Sequence, residues 1–115
     1  MFTVSNEQFD EFVSDAIRSL PPELAKNMSN VGIFVEDEAK GRNLFGLFQG
    51  VPLTKRGPLS YSGALPDRIT IYQRTIERYA SSEQQVRDQV RKTVIHELGH
   101  HFGIDDDRLK ELGWA

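Results

Sequence analysis

The sequence predicts a single α/β domain. Two kinds of segment carry that expectation. In one, apolar residues recur every three to four positions; the other is short, β-branched and bounded by Gly, Pro or Asn. The chain of 115 residues fits one small domain, residues 1–115. A domain of that size buries roughly two-thirds of its unfolded surface and needs no cross-links. It contains no cysteine, so disulfides and Cys-ligated zinc or iron–sulfur centres are excluded.

The elements follow in order. Residues 5–20 read as an amphipathic helix. Ser5 and Gln8 form a capping box, and Phe9, Phe12, Val13, Ala16, Ile17 and Leu20 share one face. Pro21-Pro22 ends that helix, and PELAKN (22–27) begins a short second one with Pro22 in its first turn. VGIFVE (31–36) reads as a strand, AKGRN (39–43) as a turn, and LFGLFQG (44–50) as strand-like, interrupted by Gly46 and Gly50. Residues 51–67 hold three Pro and two Gly and read as a long loop bordering a cleft. RITIYQ (68–73) alternates as a half-buried strand does, and RTIERYA (74–80) as a short helical piece. Ser82 and Gln85 make a second capping box before a long helix with Val86, Val90, Val94 and Leu98 on its buried side. Arg87 and Arg91 read as the solvated face of that helix. Gly103 is its expected left-handed stop. DDDRLKELGW (105–114) is a short last helix capped by an Asp, with Trp114 as an apolar anchor.

Every histidine of the chain lies in the long helix that stops at Gly103: His96, His100 and His101. His96-Glu97-Leu98-Gly99-His100 is an HExxH sequence. A spacing of four leaves two side chains about 40° apart around a helix, one turn up, so both imidazoles reach one ion. Glu97 lies about 100° round from His96, beside a water on the open side of the ion. A helix continued past His100 would carry later side chains away. A left-handed residue at Gly103 turns the chain, and the residue three positions on points back. Asp106 is therefore the expected third ligand, with Glu111 a second candidate. Asp105 or Asp107 is the expected helix cap. His101, four residues after Glu97, shares its helix side and is an accessory candidate for orienting it or contacting substrate. Tyr61 in the loop is an accessory candidate for stabilising an oxyanion. Tyr72 and Tyr79 read equally well as core aromatics.

The full pattern from His96 to Asp106 is HExxHxxGxxD, which resembles the metzincin zinc peptidases. LFGLFQGVPLT (44–54), LPDRITIY (65–72), VRKTVIHELGHHFGIDDDRL (90–109) and ELGW (111–114) resemble a family of small bacterial zincin-like metallopeptidases, minimal relatives of that group. The resemblance implies a small mixed sheet packed on the active-site helix. It implies one zinc ion per chain at His96, His100 and Asp106, with Glu97 as catalytic base. Metzincins also carry a Met-containing turn after the third ligand. Here the only methionines are Met1 and Met28, so that turn is absent.

The expected function is hydrolysis of peptide bonds in a peptide or protein substrate by metal-activated water. The alternative is a metal- or protein-binding module that retains the site without catalysis. A structural zinc is closed by four protein ligands and has no use for Glu97. Lys and Arg number 14 against 17 Asp and Glu, so no nucleic-acid partner is expected. MFTVSNEQFDEF shows neither a basic leader nor a long apolar run. No membrane association and a cytoplasmic location are the expectations, and a monomer is consistent with them.

Overall fold

The computed structural model describes residues 1–26, 28, 31–50 and 67–113. Most of the 51–67 loop, including Tyr61, and the Trp114 anchor lie outside these residues. The order is α1 (Asn6–Arg18), α2 (Pro22–Ala25), β1 (Val31–Glu36), β2 (Gly46–Gln49), β3 (Asp67–Tyr72), α3 (Gln73–Tyr79), α4 (Glu83–His101) and α5 (Asp106–Glu111). This is a small α+β fold.

The three strands form one mixed sheet in the order β1-β3-β2. β1 runs parallel to β3, with Val31 opposite Asp67, and β2 antiparallel to it, with Gly46 opposite Ile71. β3 is therefore central. Its alternating polar residues suggested a half-exposed strand, yet Thr70 and Tyr72 are buried along with Ile69 and Ile71. RITIYQ cannot be the sheet edge that receives another chain. β2, which packs on α4, has β3 on one side only among the described residues.

Both long helices start where their caps dictate. Ser5 Oγ accepts from Gln8 N at 3.0 Å and Ser82 Oγ from Gln85 N at 3.2 Å. The glutamines do not return the bond to the cap residue. Gln8 Nε2 donates to Glu83 Oε1 at 2.6 Å, and Gln85 Oε1 accepts from Ser81 N at 2.6 Å. Each helix then buries its periodic face. Phe9, Phe12, Val13 and Ala16 of α1 join Val86, Val90, Val94 and Leu98 of α4 and Ile69 and Ile71 of β3 in one core. Arg87 and Arg91 are not simply solvated, because α1 is their neighbour. The Arg87 guanidinium sits 4.5 Å from the Phe12 ring centroid, and Arg91 Nε donates to Ser19 Oγ at 3.4 Å.

α4 reaches the sheet at a point where β2 has no side chain. A Cβ added at Gly46 would stand 2.6 Å from Thr93 Cγ2 and 3.2 Å from Glu97 Cγ. The glycine that looked like an interruption in a strand is a close approach of sheet and helix. Gly46→Val improves strand propensity and should still destabilise the protein by about 1–3 kcal/mol through overpacking. Urea unfolding of the metal-free protein measures this. An unchanged midpoint would contradict the packing.

Candidate metal centre

The last turn of α4 is closed by two crossing backbone bonds. Gly103 has φ of 77°, a left-handed value that glycine adopts without steric cost. Gly103 N donates to His100 O at 2.9 Å and Ile104 N to Gly99 O at 2.8 Å, the pairing of a Schellman motif. Asp105 is extended, and its Oδ1 accepts from Arg108 N at 2.9 Å, which makes it the cap of α5. Asp106 is then the first residue of α5.

α5 lies back across α4 because Gly99 leaves room. Leu109 is fully buried, and a Cβ at Gly99 would stand 2.9 Å from both of its methyl groups. Sequence reasoning gave Gly99 no role of its own. Gly99 is in fact the seat of the element that carries Asp106.

Two carboxylates approach the histidine pair. Ligating atoms of His96, Glu97 and His100 lie within 4.8 Å of one another. Asp106 Oδ1 is 3.3 Å from His96 Nε2 and 3.5 Å from His100 Nε2. Zinc bonds of about 2.0–2.2 Å in a tetrahedron place neighbouring ligand atoms roughly 3.3–3.6 Å apart. Asp106 meets that spacing on the same nitrogen of both rings. Glu97 does not: its Oε2 is 4.0 Å from His96 Nε2, and its Oε1 approaches His100 through the other ring nitrogen, Nδ1, at 3.3 Å. His96, His100 and Asp106 therefore share the spacing of a zinc donor set, with Glu97 beside them.

Exposure divides these residues by role. The His96, His100 and Asp106 side chains are 39%, 37% and 64% exposed, whereas that of Glu97 is 10% exposed. The three candidate ligands open to solvent on one side, as a site that keeps a position for water and substrate must. Glu97 forms the floor, between Gly46 and the helix.

The other candidates lie elsewhere. Glu111 pairs with Arg108 at 2.9 Å. His101 is fully buried, and its Nδ1 lies 2.6 Å from Asp67 Oδ2, so its bond goes to the sheet and not to Glu97. Sequence reasoning missed Asp67 as a partner because it was taken as the end of the loop. Tyr72 is buried; burial and then the Glu36 carboxylate raise its phenol above the usual range, so it stays protonated. Tyr79 is 60% exposed and stands edge-on to Phe45 with ring centroids 5.5 Å apart.

A helix carrying HExxH, packed beneath a small mixed sheet, is the arrangement of a zinc peptidase. The chain belongs to the zincin-like metallopeptidase family, whose sequence model matches residues 28–114. It is also similar to a trehalose-6-phosphate synthase of Enterobacter sp. (strain 638), with 27% identity over 118 aligned residues. That match covers 92% of this chain and 21% of the synthase, so the chain spans about a fifth of that relative's length.

Substitutions around the centre should separate into two groups. Asp106→Ala should cost more zinc affinity than the roughly 10–100-fold typical of losing a supporting partner. Asp105→Ala should keep zinc and lose about 1 kcal/mol of stability with the cap. Gly99→Val should displace Leu109 and weaken zinc about tenfold or more without touching a ligand. Calorimetric titration of zinc into the three variants reads the affinities, and urea unfolding of metal-free Asp105→Ala reads the cap. Equal affinity for Asp106→Ala and wild type would remove Asp106 from the ligand set.

Proposed function

We propose that this protein is a zinc-dependent peptidase in which His96, His100 and Asp106 hold the metal and Glu97 is the general base. The observation that supports it best is the split between the two carboxylates. Asp106 has the spacing of a ligand, and Glu97 is held just outside that spacing, on the floor of the open side.

Zinc, when bound, supplies a Lewis acid for the scissile carbonyl and makes the attacking water more acidic. Glu97 accepts the proton of that water on a carboxylate oxygen and delivers it to the departing amine nitrogen as the peptide bond breaks. The Glu97 stem packs against Gly46, where a Cβ would stand 3.2 Å from Glu97 Cγ. His96 and His100 keep their rings 4.5 Å apart at 67°, so that one Nε2 from each faces Asp106.

The surroundings suit an extended chain. A groove of about 360 Å³ runs from Asn43–Gly46 and Gln89 to His96 and Glu97. On the other side, about 640 Å³ of open space is bordered by Phe48, His100 and Gly103–Asp107. The edge of β2 away from β3, unpaired among the described residues, lies between residues of the two grooves, and a peptide added to that edge would pass over the centre. Peptide or protein is accordingly the substrate class.

The competing reading is a binding module that keeps the zincin site, favoured by the lack of a Met-turn. Glu97→Gln separates the two. It should retain zinc and reduce cleavage of an unstructured protein such as casein by about 10²–10⁴-fold. If wild type and Glu97→Gln both hold zinc and both leave casein and a broad peptide library intact, the module reading replaces this one.

A further inference from the structure

We propose that the buried His101–Asp67 pair is a positioning device for the zinc site: it sets the roll of the last turn of α4 and thereby aims His100. The inference rests on the zinc assignment above.

α4 buries a second stripe at four-residue spacing: Thr93, Glu97 and His101 are 4%, 7% and 0% exposed. Each is polar, where a helix against a sheet ordinarily places apolar residues. Thr93 bonds back to Gln89 O at 2.7 Å, and Glu97 belongs to the site. That leaves His101, which reaches 34 residues back to Asp67 at the start of β3, itself 4% exposed. The Nδ1–H donates to the carboxylate at 2.6 Å.

Stability does not account for this pair. Apolar groups of the same shape in place of a buried hydrogen-bonded pair can be nearly neutral or stabilising. His101 Nε2 is buried and has no hydrogen-bond partner among the described residues. What an apolar pair lacks is direction. Phe48 and Phe102 flank the ring at centroid distances of 5.9 and 5.2 Å, so the imidazole is held laterally as well as at Nδ1.

Direction matters at this position because His100 is the adjacent residue. A side-chain tip lies about 5–6 Å from the helix axis, so a roll of about 10° moves it by about 1 Å, beyond the roughly 0.5 Å that a preorganised site tolerates. The Schellman bonds at Gly103 and Ile104 fix where the turn ends. They do not fix how the helix is rolled against the sheet. The bond to Asp67 does. Asp67 also lies against Gly50, just beyond β2, where a Cβ would stand 2.2 Å from Asp67 Oδ1.

The test compares His101→Asn, His101→Gln and His101→Phe by zinc titration, with circular dichroism and melting of each metal-free protein as folding controls. The Asn amide nitrogen falls where Nδ1 was, and the Gln amide nitrogen falls where Nε2 was. Asn should keep zinc affinity close to wild type even if it melts lower. Gln and Phe should lose about 10–100-fold, the range for a lost supporting partner. In a His100→Ala background the Gln substitution should cause no further loss, because its effect runs through His100. If Phe does not fold, the contrast of Asn and Gln decides alone. Equal zinc affinity for Asn and Gln, or a Gln effect that persists without His100, overturns the proposal. A wild type that binds no zinc overturns the metal assignment and this inference with it.

Discussion

The last turn of α4 must stop at Gly103, and the geometry of the site depends on that stop. A residue with a side chain would resist the left-handed φ there, and the helix would run on past the ligands. With the stop in place, Ile104 N closes on Gly99 O, Asp105 caps α5, and Leu109 swings back onto Gly99. Asp106 then meets both imidazoles. The candidate ligands come from eleven consecutive residues, and local backbone chemistry assembles them.

Glu97 depends on the rest of the chain. It is a carboxylate held at the boundary of the core, and its place is set by what is missing opposite it, a side chain at Gly46. The interface of α4 with the sheet therefore has two characters. Val86, Val90, Val94 and Leu98 supply the burial that stabilises the fold. Thr93, Glu97 and His101 run alongside as a buried polar line. A helix that is apolar on one line and polar on the next is held both to the core and in register with the sheet.

These two levels explain how much could be read from the sequence. The capped starts of α1 and α4, the buried valine series and the Gly103 turn were legible because each is decided within about one or two helical turns. The placement of Asp106 beside the histidines followed from the same turn. What escaped the sequence is what depends on a partner far along the chain. Gly46 looked like a break because Thr93 and Glu97 are more than forty residues away. Arg87 looked solvated because α1 was not yet beside it. His101 was a candidate for Glu97, its helical neighbour, or for substrate, because nothing local points to Asp67. β3 looked half-buried because polar alternation normally marks one solvated face, and this one is covered on both. Membership of the zincin-like metallopeptidase family fits the legible part, since HExxHxxGxxD lies within the matched residues.

The central claim is the division of labour between the two carboxylates, with Asp106 on the metal and Glu97 off it. A crystal structure of the zinc-loaded protein, with the ion located by its anomalous signal, tests this directly. The account predicts one zinc ion bonded to Nε2 of His96, Nε2 of His100 and an oxygen of Asp106, with a fourth position open to solvent on the side of Glu97. Zinc bonded to the Glu97 carboxylate, with Asp106 turned away, would contradict it.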